Sequence, residues 1–258
     1  MSKSLVVYPY KMSSKSAKLL SSVLDCKRIY PNKEYIPTSR DVIINWGNGH
    51  CPTWIPLFRN QVINHWKNIC YAIDKSKSFD LFKQHNVVMP KVTQSSQEAK
   101  SWLADGDYVV GRQYLEGKDG EGIILMKKPS DFRTCELYTR YEKKITEYRV
   151  YTMGDKVIDC LEKRRDVDFL REGKVDEFIR TEKNGWVFCR QRVTIPPEVG
   201  KQSIKAVKAL GLVFGGVDVI WNPHHGRACV LEVNTAPSIF GETVHRYAEA
   251  LTAYAEKI

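Results

Sequence analysis

Apolar positions along this chain come in short bursts whose spacing switches between two residues and three-to-four. Residues 5–8 form an unbroken apolar run that stops at Pro9, which predicts a buried strand. Ala17, Leu19, Leu20, Val23 and Leu24 recur at helical spacing over 13–24. Residues 41–47 predict a second buried strand running into a Gly/Asn/His/Pro loop at 47–56. This β-α-β opening predicts a small α/β unit of about 60 residues.

Residues 65–85 predict helix in two pieces, broken near 75–78, with Ser78 as the cap of the second. Val92 and Thr93 lead to a helix over 96–103. Strands are predicted at 108–112 and 123–126, joined by the glycine-rich stretch 116–122. A glycine loop between two strands is not the strand-to-helix setting of a Rossmann or P-loop phosphate site. Further strands are predicted at 135–141, 148–153 and 157–161, with Gly154-Asp155 as a tight turn between the last two. The dense charges over 162–183 predict a mobile, solvated loop. Pro196-Pro197 opens a helix carrying Val199, Ile204, Val207 and Leu210, and Gly211 ends it. Strands at 213–221 and 228–233 and a helix at 243–256 complete the chain.

Composition narrows the class. At 43% hydrophobic and 27% charged residues, the 258-residue chain is globular, with room for one or two domains. It has no apolar run of about 18 residues, so no membrane partner is expected. The first nine residues turn polar too early for a signal peptide. Seven scattered cysteines without a CxxC pair exclude the common zinc spacings and predict reduced thiols in a cytoplasm. The net charge is +10, and residues 1–80 hold 12 basic against 5 acidic residues, which points to an anionic partner.

The candidate chemistry sits on the last two strands. Period-two alternation puts Glu232 and Asn234 on one face and Cys229, Leu231 and Val233 on the other. If the strands pair as a hairpin, Asp218 joins Glu232. Two carboxylates and an amide oxygen are hard ligands of the kind Mg²⁺ takes together with phosphate oxygens. Upstream, Arg112 precedes the glycine hairpin with Lys118, Gly120 and Gly122, a place where backbone N–H groups and a guanidinium can hold phosphate. Lys75 and the cluster Lys163-Arg164-Arg165 are further cationic candidates. His224 and His225 lie in a turn, and no Ser-His-Asp or Cys-His signature stands out.

Taken in order, these pieces resemble the ATP-grasp superfamily of carboxylate–amine ligases. More narrowly, the chain looks like the short ATP-grasp ligase-like proteins of bacteriophage genomes. The matching residues are 45–47, Asn64, Asp74-Lys75, 109–112 with the glycine hairpin, 136–138, 147–150, 161–165, 210–218 and 231–237. The last two segments are the most specific together. The resemblance implies an α+β ATP-grasp fold. Its expected parts are an N-terminal α/β unit (1–62), a central lid-like subdomain with the glycine hairpin (63–134) and a C-terminal antiparallel sheet with helices (135–258).

It also implies ATP and Mg²⁺ as cofactors. Asp218, Glu232 and Asn234 would hold the metal, and Lys75, Arg112, Lys118, Gly120 and Gly122 would meet the phosphates. The backbone of Glu136, Leu137 and Tyr138 would meet adenine, and Glu147 the ribose. Arg149 and Lys163 or Arg165 would face the γ-phosphate and the acceptor. Two positions depart from the pattern: Arg112 stands where lysine is usual, and Ser238 follows Pro237 where glycine is common.

The implied reaction phosphorylates a carboxylate with ATP to an acyl phosphate, which an amine then attacks. This is chemistry of positioning and charge neutralisation. Asn45, Trp46, Gly47, Asn48 and His50 are the expected acceptor-side surface, and Trp46 and Trp54 are candidate stacking platforms. The basic N-terminal part keeps two alternatives open: an ATP-grasp enzyme acting on nucleic acid, and a non-enzymatic nucleic-acid-binding module. The resemblance also makes a homodimer and a cytoplasmic setting (the host's, for a phage protein) expectations.

Overall fold

The computed structural model describes residues 3–30, 33, 35–50, 52, 61–116 and 120–258. The first unit holds β1 (Ser4–Pro9), α1 (Lys15–Val23), β2 (Lys27–Arg28), β3 (Asp41–Trp46) and β4 (Val62–Ile63). Its strands run parallel in the order β2-β1-β3-β4. β1 and β3 are buried almost throughout, as unbroken apolar runs in a parallel sheet should be. β2 and β4 are two-residue edge strands that apolar patterning does not reveal.

Two helices follow, α2 (Trp66–Ile73) and α3 (Lys75–Gln84). The break predicted in this region is real, but the cap is Asp74 and not Ser78. The Asp74 carboxylate accepts from the amides of Ser76 and Lys77 at 3.0 and 3.1 Å, while Ser78 Oγ donates to the Lys75 carbonyl inside the helix. A carboxylate at a helix N-terminus also meets the positive end of the dipole, so Asp74 wins over a hydroxyl four residues on.

The central sheet consists of β5 (Val92–Thr93), α4 (Ser96–Ala104) packed on it, β6 (Val109–Arg112), β7 (Ile123–Met126) and β8 (Leu137–Arg140). Its order is β5-β8-β6-β7, all antiparallel, over a small core of Ala99, Trp102, Leu103, Val109, Met126 and Tyr138. The divisions drawn from sequence cut across the packing at two points. β8 lies beyond residue 134 yet pairs in the central sheet. α2 and α3 lie after residue 62 yet bury Ile69, Ala72, Phe79 and Phe82 in the core of the C-terminal sheet.

That sheet is built from β9 (Thr146–Met153), β10 (Lys156–Arg165), α5 (Val167–Arg171) as an excursion, β11 (Trp186–Cys189), α6 (Pro197–Ala209), β12 (Phe214–Asn222) and β13 (Arg227–Asn234), and α7 (Glu242–Ala255) closes the chain. Strand order is β11-β10-β9-β12-β13, antiparallel throughout. One face packs Val150, Val217, Val219 and Val230 against α6 and the two early helices. The other face is covered at one end by α7 and the first unit through Phe214, Tyr247, Leu251 and Trp46, and is open at the other. Asn64 fastens the first unit to β12: its Oδ1 accepts from the amides of Val213 and Phe214, and its Nδ2 donates to the Phe214 carbonyl.

The segment 162–183 is not a mobile solvated loop. β10 continues to Arg165, and Asp166 caps α5. Asp176 accepts from the amides of Phe178 and Ile179, and the buried Trp186 indole donates to the Asp176 carbonyl at 2.7 Å. The charges pair with one another and with backbone as far off as Lys144, so a polar run forms ordered structure. Among the described residues no helix is long and apolar enough to cross a membrane, and the described cysteines are free thiols.

Candidate active site

A cavity of about 850 Å³ lies between the open face of the C-terminal sheet, the central sheet and the loops of the first unit. Strand register sets its chemistry. Arg149 on β9 pairs across to Asp218 on β12, which pairs across to Glu232 on β13, so three charged residues form a row over three neighbouring strands. In the next row stand Tyr151, Gly216 and Asn234. Cross-strand partners share a face, so all of these side chains address the same space.

β13 does not keep a strict period of two. A bulge makes Val219 pair with Val230 while Asp218 pairs with Glu232, so Leu231 is an extra residue. Leu231 therefore lines the cavity beside Glu232 and is not on the core face that alternation predicts. Cys229 is likewise buried outside the α6-side cluster that holds Val230 and Val233, because the bulge shifts the phase.

The charged row is paired. Arg149 donates from Nε and Nη2 to the two Asp218 carboxylate oxygens at 2.6 and 2.7 Å. Lys75 Nζ lies 2.9 Å from Glu232 Oε2. Asn234 Nδ2 donates to Glu232 Oε1 at 3.1 Å and to the Gly216 carbonyl at 3.3 Å, which turns its Oδ1 toward other partners. The Lys75 ammonium holds the Glu232 carboxyl well below the usual carboxylate range, against the pull of burial. Burial pushes the Asp218 carboxyl up, and the Arg149 guanidinium opposes it. For Arg149 burial works against the charge and Asp218 more than restores it.

Arg112, the last residue of β6, faces this row from the central sheet. Burial lowers its guanidinium while the Glu232 charge raises it. Its Nε is buried without a hydrogen-bond partner, as expected of a cation waiting for an anionic ligand. Gly120 of the hairpin lines the same cavity; Lys118 lies outside the described residues, and Gly122 is in the turn but off the wall.

The donor set fits a hard divalent cation. Two carboxylates and one amide oxygen share a wall and are neutralised by the Lys75 ammonium and the Arg149 guanidinium, with the Arg112 guanidinium opposite for phosphate. Among the described residues no group of three or more His, Cys, Asp or Glu stands together, so phosphate and water would complete such a coordination shell.

The structure does not bring every predicted residue to the cavity. Glu136 is exposed, and Leu137 and Tyr138 are buried in cores. Tyr138 lies in an inner strand, paired with Gly111 on one side and Thr93 on the other, so its backbone is committed to the ladder. The stretch that lines the cavity is Thr139, Arg140, Tyr141, Glu142 and Lys144, three residues further on. Glu147 sits just beneath the wall, its Oε1 taking Lys163 Nζ at 2.5 Å and its Oε2 3.6 Å from Lys144. Burial disfavours its charge, and Lys144 and Lys163 more than compensate, holding the carboxyl low. Lys163 lines the cavity; Arg165 does not, pairing instead with Glu177 at the exposed end of β10. Trp46 is buried against Phe214 and Tyr247 and offers no stacking face, and Trp54 lies outside the described residues.

Two cavity residues were invisible to patterning. Lys144 lines the wall, and burial lowers its ammonium. Arg180 is buried, stacks on Trp186 at 4.1 Å, donates to the Lys144 carbonyl and keeps its Nε without a partner. The available signal was Trp186, an aromatic among charges, which marks an anchor rather than a solvated run.

No family model matches the chain. A protein of Shewanella sp. (strain MR-4) named a probable alpha-L-glutamate ligase is 28% identical over 211 residues, covering 74% of this chain. The match spans 65% of that relative's length. Among solved structures, the ATP-grasp ligase PsnB complexed with minimal precursor, Mg and ADP overlays with a TM-score of 0.67 at 14% identity, covering 98% of both chains. The D-alanine–D-alanine ligase from Bacillus anthracis complexed with ATP overlays with a TM-score of 0.67 at 15% identity, covering 99% of this chain and 96% of that one. At these identities the structural likeness is one of fold.

Proposed function

We infer, from the fold this chain shares with solved ATP-grasp ligases, from its likeness to a probable alpha-L-glutamate ligase and from the charged row on its open sheet face, that it is an ATP- and Mg²⁺-dependent ligase of the ATP-grasp superfamily. It activates a carboxylate as an acyl phosphate for attack by an amine. The observation that carries this reading is the row Arg149–Asp218–Glu232 with Asn234, facing the unpartnered Arg112 across one cavity. Mg²⁺ held by Asp218, Glu232 and Asn234 would neutralise charge on the transferring phosphoryl group. Lys75 and Arg112 address the phosphates; both are near Glu232 and can exchange it for an anion. Arg149 and Lys163 stand where charge develops, and their fixed positions remove the reorganisation that water would need. Arg180 and Lys144 join them as cations of the wall.

The substrates belong to the carboxylate and amine classes, and the N-terminal side of the cavity, with Tyr10, Lys11 and Gly47, is their place. PsnB has also been solved in complex with precursor peptide PsnA2, which makes peptides the first substrates to try. Of the basic residues described in the first unit, Lys11 alone lines the cavity. The site therefore adds no observation to the nucleic-acid readings.

The test is the nucleotide product. The protein is incubated with Mg-ATP and pooled amino acids and peptides, and separately with RNA and with DNA. ADP and phosphate released only with the small-molecule and peptide pool is the expected result. AMP released only with nucleic acid would overturn the acyl-phosphate reading.

A further inference from the structure

The loop that follows β13, residues 234–238, is gripped from both sides by backbone. A Cβ built on Gly216 of β12 would stand 2.7 Å from Pro237 Cβ, and one built on Gly47 of the first unit would stand 2.6 Å from Ala236 Cβ. Real Cβ atoms do not approach this closely, so the loop occupies space that only glycine leaves. Tyr151 Oη donates to the Ser238 carbonyl at 2.8 Å and holds the far end. At the near end is Asn234, whose Nδ2 is tied to Glu232 and Gly216 and whose Oδ1 is left for a cation.

Gly47 itself cannot yield. Its φ is +79°, in the left-handed region. It bridges to Pro9, and the next residue, Asn48, is locked in a reciprocal turn. The Asn48 amide donates to Asn45 Oδ1 at 2.9 Å, Asn45 Nδ2 donates to the Asn48 carbonyl at 3.0 Å, and Asn48 Nδ2 donates to the Pro9 carbonyl at 3.3 Å. Asn45 and Asn48 are both buried. Any atom added at Gly47 therefore displaces Ala236, and Ala236 is two residues from Asn234.

We propose that Gly47 is a positioning residue: the first unit, through the close contact of Gly47 with Ala236, sets where the Asn234 amide oxygen stands relative to Glu232 and Asp218. This rests on the metal-and-nucleotide reading of the cavity. It gives the first unit a part in metal binding that its distance in sequence conceals, besides flanking the substrate. Outer partners that orient a ligand commonly account for a large share of metal affinity.

The test is calorimetric binding of ADP, with Mg²⁺ and with EDTA, to the full chain, to Gly47→Ala and to Gly47→Ala/Ala236→Gly. Gly47→Ala is expected to weaken Mg-ADP binding about tenfold or more and to leave ADP in EDTA within about twofold. The double variant, which removes the Cβ that is struck, is expected to recover the part of the loss that the contact causes, while the left-handed strain at position 47 remains. Ala236→Val crowds the same contact without touching the backbone of Gly47, and it decides the matter should Gly47→Ala fail to fold. A folded Gly47→Ala or Ala236→Val that binds Mg-ADP like the parent overturns the proposal. So does equal weakening with and without Mg²⁺, or a double variant that recovers nothing. A parent chain with no Mg-dependent ADP binding would instead bring down the reading of the cavity itself, and the proposal with it.

Discussion

The two faces of the C-terminal sheet share the same strands and solve opposite problems. Toward α6 the sheet buries Val150, Val217, Val219 and Val230, where each methyl group removed from water contributes to stability and shape alone matters. Toward the cavity the same strands bury Asp218 and partly bury Arg149 and Glu232, where desolvation costs free energy that pairing has to offset. A sheet optimised for stability would carry apolar residues on both faces. The difference teaches that the α6 face stabilises the fold and the other face uses that stability to hold charge ready for a charged ligand.

The sharpest way to break this division is to change one residue on each face. Glu232→Ala is expected to lower nucleotide turnover by at least about a hundredfold while the chain stays folded. Leu210→Ala, at the end of α6 in the core that this helix forms with the apolar face, is expected to cost about 2–5 kcal/mol of unfolding free energy and to leave turnover per folded molecule unchanged. Urea denaturation and ADP release, measured on both variants, check the pair. Full turnover in folded Glu232→Ala would remove Glu232 from the metal site.

A smaller effect follows from the pairing within the charged face. The Glu232 carboxyl is held low by Lys75, so the stability its charge contributes is present above about 4.3, the ordinary glutamate value, and is lost only as pH falls through its lower folded value. Lys75→Met removes the first cause of that depression. The folded value should rise, and the acid limb of Mg-dependent ADP binding should move up by about one pH unit or more. Binding titrations from pH 8 down to pH 4 measure it: the parent, whose Glu232 carboxyl titrates below this window, keeps its Mg-dependent affinity where Lys75→Met begins to lose it, and superimposable curves would mean that Lys75 does not control Glu232.

Much of the fold was legible because local and global preferences agree. The apolar runs at β1 and β3, the Gly154-Asp155 turn and the pairing of Asp218 with Glu232 all appear where patterning put them. What was hidden depends on contacts distant in sequence. The bulge that turns Leu231 into the cavity breaks the period of two without any glycine or proline to announce it. The expected adenine-side residues 136–138 lie off the cavity because β8 is an inner strand, and only the sheet order shows that Tyr138 is flanked by two others. β2 and β4 are too short to carry a pattern. Arg180 looked like part of a solvated charge run because its burial depends on Trp186 and on Lys144, 36 residues upstream.

The smallest expected effect separates two arginines that sequence and structure rank in opposite order. Arg165 closes the Lys163-Arg164-Arg165 cluster, but its guanidinium is 48% exposed and bonded to Glu177, itself 46% exposed. Exposed pairs of this kind contribute little, because solvent screens the charges and ordering two long side chains costs entropy. Arg165→Ala should therefore shift stability by no more than about 0.5 kcal/mol and turnover by less than about twofold. Arg180 is buried against Trp186, with an unpartnered Nε at the cavity wall, so Arg180→Met should raise KM for ATP or the acceptor about tenfold. Steady-state kinetics on the two variants side by side make the comparison. If Arg165→Ala proves the more damaging, the end of β10 must swing inward on binding, and the paired, outward Arg165 seen here is only the resting arrangement of a site that closes from that edge.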